Sequence, residues 1–211
     1  MQLVRNFATV GAMTAASRVL GFVRDTFLAA VLGAGPVADA FFVAFKLPNL
    51  FRRLLAEGAF NSAFVPLFTR VRAEEGAEGG ESFASAVLSW LLLILISITV
   101  LAEIFTPLLV FALAPGFTGS ESADLTVLYT RFCFPYLAAM SLVAFFSGIL
   151  NTLNRFAAAA AAPGLLNVVL ISVLAAVAWF KLPPEEAGYW LSIGISVSGL
   201  LQAVILAIAV R

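Results

Sequence analysis

Five cationic side chains, Arg18, Arg24, Lys46, Arg52 and Arg53, interrupt two strongly apolar stretches near the start of the chain, with Asp25, Asp39 and Glu57 among them. Guanidinium groups grip phosphate and carboxylate oxygens in bidentate fashion, so this residue set is suited to holding an anion. A charge at the centre of a bilayer-spanning helix costs about 2.5 to 3.5 kcal/mol, which argues that the cations face a shared aqueous cavity rather than lipid. Such a cavity implies an anionic ligand or a gate held by ion pairs. Asp25 beside Arg24, and Glu57 four residues after Arg53, can form structural ion pairs. Pairing alone leaves a surplus, because within residues 17–57 five cations stand against three carboxylates. Ser17 and Asn49 can line the same cavity or hydrogen-bond between helices.

The positions of these residues follow from the elements that must carry them. Apolar residues make up 62% of the 211-residue chain and charged ones 11%, against roughly 45 to 50% and about 25% in soluble domains. Glycine, proline and charge divide the chain into six candidate membrane spans near 7–33, 37–69, 83–114, 125–151, 157–180 and 188–210. The fold class expected is therefore an all-α integral membrane protein of six transmembrane helices. Arg5 ahead of an apolar stretch, with small residues at 14–17, outlines a cleavable leader. That stretch is weakly apolar, however, and the pattern resumes at Val19, so it reads better as the first half of a membrane helix. The second span is too long for a straight crossing and is expected to bend at Pro48 or Gly58.

If the first two spans form an antiparallel hairpin turning at residues 33–36, distance from the turn sets depth. Arg24 and Lys46 then lie about 14 Å below it, and Arg18 and Arg52 about 22 to 24 Å. Asp39, Phe42, Lys46, Asn49 and Arg53 follow helical spacing along one stripe, and Arg18 and Asp25 share a face of the first helix with Arg24 on its flank. Arg131 and Glu103, both near the outer ends of their spans, are read chiefly as interfacial residues.

Five basic residues, Arg5, Arg70, Arg72, Arg155 and Arg211, fall on one side of the six-span layout and only Lys181 on the other. The positive-inside rule puts both termini in the cytoplasm and the connections near 34–36, 115–124 and 181–187 outside. There is no histidine, and Cys133 is alone in an apolar run and reads as core packing. With no P-loop and no carboxylates at metal-ligand spacing, neither catalysis nor a cofactor is expected. Zero net charge argues against nucleic-acid binding.

The run Ala40-Phe-Phe-Val-Ala-Phe-Lys-Leu-Pro-Asn-Leu-Phe-Arg-Arg-Leu-Leu-Ala-Glu-Gly-Ala-Phe60, with Ala63-Phe-Val-Pro66 after it, resembles the signature of the MurJ/MviN family. Ser17-Arg-Val-Leu-Gly-Phe-Val-Arg-Asp25 resembles it as well, and residues 115–117, 131–135 and 151–156 extend the likeness along nearly the whole chain. The resemblance implies a lipid II flippase of the multidrug/oligosaccharidyl-lipid/polysaccharide exporter superfamily. Such a protein moves an undecaprenyl-diphosphate-linked peptidoglycan precursor across the bacterial cytoplasmic membrane by alternating access. It also implies that Arg18, Arg24 and Arg52 match cavity arginines that meet the diphosphate, and that Asp25 and Asp39 are gate or counter-charge partners. Lys46, Asn49, Arg53 and Ser17 join the substrate-facing set by position, and Glu57 joins the gate. The family has two lobes and about fourteen spans, so residues 1–211 correspond to an N-terminal lobe, and a second lobe becomes an expected partner beside lipid II and membrane lipid. Export of drugs or other lipid-linked oligosaccharides, and a non-transporting membrane scaffold, are the competing readings.

Overall fold

A computed structural model describes residues 2–52, 60–117 and 121–211, and within them the side chains of all but 2–10, 47, 51, 52 and 121. The described residues form α1 (Gln2–Leu32), α2 (Pro36–Arg52), α3 (Asn61–Ile104), α4 (Thr106–Leu113), a 3₁₀ turn (Pro115–Phe117), α5 (Glu121–Cys133), α6 (Pro135–Thr152), α7 (Phe156–Phe180) and α8 (Pro184–Val210). No strand occurs among them. Among the described residues, four helical segments are long and apolar enough to cross a membrane: α3, α5 continued by α6, α7 and α8. The first two expected spans fall outside that group. In the first of them α1 carries Arg18, Arg24 and Asp25 within its apolar sequence, and of the second only residues 37–52 and 60–69 are described.

Helix α1 runs unbroken through the small-residue stretch at 14–17. The chain turns at Gly33, whose φ of 66° suits a residue without a Cβ, and re-enters helix at Pro36, where a fixed φ and a missing N–H favour the first turn. The expected hairpin does not pack against itself. Instead α1 lies along α7, while α2 lies along α5 and, to a lesser extent, α6 and α8. Sequence adjacency gives way here to complementary surfaces: Ala38, Ala40, Phe41 and Ala44 form an apolar face of α2 that buries itself away from α1.

The long second span also differs from expectation. Helix α2 continues through Pro48 to Arg52, and Gly58 lies outside the described residues. The stretch left as a connection between the expected spans 37–69 and 83–114 is instead helical: residues 73–81 are helical on both sides of Gly76, which alone leaves helical geometry (φ 79°, ψ −166°). Alanine and glutamate favour helix, and the Arg70 Nε to Glu74 Oε1 contact of 2.8 Å adds an i,i+4 pair. The helix folds back at Gly76: the rings of Phe64 and Phe83 lie 6.1 Å apart, and a Cβ on Gly80 would stand 3.2 Å from that of Arg72.

Proline shapes two further spans. Expected span 83–114 breaks at Phe105 (φ −96°, ψ 14°), just before Pro107. Expected span 125–151 divides at Phe134–Pro135, but Phe134 keeps helical angles, so α5 and α6 continue as one crossing.

The core gathers around α8, which contacts α5, α6 and α7. Helices in lipid gain no hydrophobic drive from one another, so close approach depends on small residues. Gly188 and Gly199 show this directly: an added Cβ would come 2.7 Å from the Tyr129 ring at the first and 2.8 Å from Tyr136 at the second. Tyr129 is fully buried, and its hydroxyl donates to the Glu185 carbonyl at 2.8 Å, satisfying a polar group that lipid would leave unpaired. Cys133 is buried in this core. At one end of the bundle, Arg155 Nη1 donates to the Ala209 carbonyl at 2.9 Å. Beside it Arg72 and Arg211 line a cavity of about 480 Å³ with Phe68, Phe145 and Leu153.

Candidate functional site

Ser17, Gly21, Arg24 and Leu28 fall on one face of α1 by their 4, 3, 4 spacing, and that face meets α7. Gly21 leaves room for Asn167 of α7, whose side-chain amide lies 3.7 Å from where a Cβ would be. Arg24 reaches the same amide: its Nη1 donates to Asn167 Oδ1 at 2.8 Å. Nε and Nη2 of Arg24 both donate to Asp25 Oδ1, at 2.9 and 2.7 Å. Asn167 in turn donates from Nδ2 to the Ser17 carbonyl at 2.9 Å. A guanidinium can only donate, so Asn167 must show it oxygen, and its NH₂ group is thereby committed to Ser17.

Burial separates the members of this corner. The Arg24 side chain is 19% exposed and that of Asp25 67%, while Asn167 is 6% exposed. The ion pair is thus half open, with the cation turned toward α7 and the carboxylate toward the surface. Arg18 is exposed on the same uncovered face as Asp25, beside Val19 and Phe22. It has no ion-pair partner among the described residues.

On α2, Asp39, Phe42 and Lys46 are exposed and Asn49 is half-buried, whereas Ala38, Ala40, Phe41, Ala44 and Pro48 are buried. The stripe read from the spacing is therefore the face that α5 and α6 leave uncovered. Asp39 and Lys46 make no ion pair with any described residue. Arg52 ends α2. Arg53 and Glu57 lie outside the described residues. Arg24, Asp25 and Ser17 are thus joined in one network, while Arg18, Asp39 and Lys46 stand on uncovered helix faces.

Asn167 is the member that reading the first two helices missed. Its signal in the sequence is a single amide in the span 157–180, which apart from Ser172 is apolar, and only the packing of α1 on α7 gives it a partner. Arg131 and Glu103 are elsewhere. They line a cleft of about 560 Å³ with Leu128, Phe132, Ser196 and Leu200, between α3, α5 and α8.

Residues 28–211 match the family described as lipid II flippase MurJ. A probable lipid II flippase MurJ of Rhizobium tropici is 48% identical over all of this chain and 40% of its own length, and that of Rhizobium meliloti is 50% identical with the same coverage. The lipid II flippase MurJ of Burkholderia cenocepacia is 39% identical over 96% of this chain and 39% of its own. The solved inward closed conformation of a lipid II flippase MurJ superposes with a TM-score of 0.77 at 27% identity, covering 95% of this chain and 41% of that one. The chain therefore spans about two fifths of the length of the relatives it matches.

Proposed function

Because the chain belongs to the MurJ family, we propose that it forms the N-terminal lobe of a lipid II flippase and supplies half of a cationic cavity for the diphosphate of an undecaprenyl-linked precursor. The observation that carries this reading is the disposition of charge on α1 and α2. Arg18 and Lys46 are exposed and unpaired among the described residues, and Arg24, on the same helix as Arg18, is held in place. Unpaired cations on membrane helices are tolerated where they face water and an anionic partner, and a diphosphate presents the oxygen pairs that guanidinium groups grip. In this reading Arg18, Arg24 and Arg52 bind the diphosphate. Lys46, Arg53, Asn49 and Ser17 line the cavity around it, and Asp25, Asp39 and Glu57 release or retain these cations as the cavity changes state.

Transport follows from alternating access, in which two lobes rock about a central site, and the lobe described here needs a second to complete it. The fitting location is the bacterial cytoplasmic membrane with both termini of this chain inside. Support for that orientation comes from Arg72, Arg155 and Arg211, which lie together at one end of the bundle, while Lys181 caps α7 at the other.

The test is complementation of flippase loss by the full-length protein carrying Arg18→Ala, Arg24→Ala or Arg52→Ala, with membrane abundance measured in parallel. Each variant is expected to accumulate normally and fail to support growth. Growth sustained with all three changed would overturn the reading. Growth lost, with no binding of lipid II to the unaltered protein by native mass spectrometry, would redirect it to another lipid-linked cargo or a drug.

A further inference from the structure

We propose that Asn167 is a positioning residue that holds the Arg24 guanidinium ready for the anion, an inference that rests on the diphosphate reading above. A guanidinium carries five N–H donors. In this structure Asp25 Oδ1 takes one from Nε and one from Nη2, and Asn167 Oδ1 takes one from Nη1. Two remain, one on each terminal nitrogen, which is the number a bidentate phosphate contact uses.

Asp25 alone cannot set the direction of those two donors. It is the neighbour of Arg24 on the same helix, and its 67% exposure leaves it free to carry the arginine toward the surface. Asn167 provides a second fixed point on a different helix. Its own freedom is small, since it is 6% exposed, lies against Gly21, and is tied through Nδ2 to the Ser17 carbonyl. Two acceptors on two helices fix the plane of the guanidinium where one would leave it to swing.

The chemistry of the amide matters as much as its place. A carboxylate at position 167 would also accept from Arg24, but with Asp25 it would put two negative charges on one cation and weaken its attraction for an anion. Asparagine orients the arginine without cancelling it. The amide also supplies the donor that Ser17 receives, which a carboxylate lacks.

The experiment measures binding of undecaprenyl diphosphate to the purified full-length protein by native mass spectrometry. The variants are Arg24→Ala, Asn167→Leu, Asn167→Asp and the double variant Arg24→Ala with Asn167→Leu, each with its thermal midpoint. Arg24→Ala is expected to weaken binding about tenfold or more and Asn167→Leu by about three- to tenfold, with the double variant no weaker than Arg24→Ala alone. Asn167→Asp is expected to bind more weakly than Asn167→Leu, since it keeps the contact and adds the charge. A purely structural amide would instead make the two losses multiply in the double variant, and unchanged affinity in both Asn167 variants would be equally fatal. If Asn167→Leu does not accumulate, the ordering of Asn167→Asp against the unaltered protein decides, with unchanged affinity there overturning the proposal. Unchanged affinity in Arg24→Ala overturns the diphosphate reading of Arg24, and the role of Asn167 with it. A loss in Arg24→Ala with none at Asn167 overturns only the latter.

Discussion

Two of the places where this bundle puts a carboxylate and a guanidinium on its helices are built in opposite ways. At the corner of α1 and α7, Arg24 is ion-paired to Asp25 and held by a buried amide, with Arg18 exposed on the same helix six residues earlier. In the cleft between α3, α5 and α8, Glu103 and Arg131 are lined chiefly by Leu128, Phe132, Pro135, Ile193, Val197 and Leu200. One Glu103 carboxylate oxygen there is buried with no hydrogen-bond partner, and the Ser196 hydroxyl is committed to the Phe132 carbonyl. Pro107 and Pro135 each stand four residues after one of these two charges, where they remove the hydrogen bond its carbonyl would accept, and Thr106 Oγ1 compensates at Glu103 with a 3.1 Å contact. The same residue types thus serve different ends. A network of polar partners surrounds the cation proposed to meet the ligand, while the cleft sets two opposite charges near one another, without an ion pair among the described residues, beside two interrupted helices.

The sharpest way to break this contrast is to remove one arginine at a time. Arg24→Met in the full-length protein is expected to abolish complementation and Arg131→Met to retain it; the reverse result would exchange the roles of the two regions. A packing control comes next. Gly199→Ala forces a Cβ to within 2.8 Å of Tyr136 and 2.9 Å of Ala139, and overpacking of this kind typically costs about 1 to 3 kcal/mol, read as a lowered thermal midpoint with diphosphate-lipid affinity unchanged. An affinity loss as large as that of Arg24→Met would mean that the corner depends on the α6 and α8 packing. Arg131→Met should cost about 1 kcal/mol, because it leaves the Glu103 carboxylate without its counter-charge. Smallest of all, the double change Glu103→Met with Arg131→Met is expected to have a thermal midpoint above that of Arg131→Met and close to that of the unaltered protein, since apolar replacement of both charges removes the desolvation penalty. A double variant less stable than the single would show that the pair contributes net stability.

Much of the fold was legible because hydropathy reports the membrane directly. The spans at 157–180 and 188–210 correspond to α7 and α8 within a few residues, and 125–151 to α5 with α6. The stripe of Asp39, Phe42 and Lys46 was legible because helical spacing alone fixes which residues share a face. The partner of α1 was not. Which helix a face meets is a property of tertiary packing, and the sequence neighbour α2 carried charges at matched distances from the turn, which favoured it on paper. Asn167 was hidden for the same reason, since an amide in an apolar span has many possible partners until the fold chooses one. The helical stretch across 73–81 was hidden by its charge, which reads as a loop even though Arg70, Glu74 and the alanines favour helix.

Gly76 gives that stretch a mechanical property. Two packed helical limbs meet at one residue, so their relative motion passes through the φ and ψ of a single backbone unit, like a clasp turning on one pin. The join has no slack. A tag or protease site inserted at this point would not hang from a connecting loop but would prise apart the limbs that Phe64, Phe83, Arg72 and Gly80 bring together.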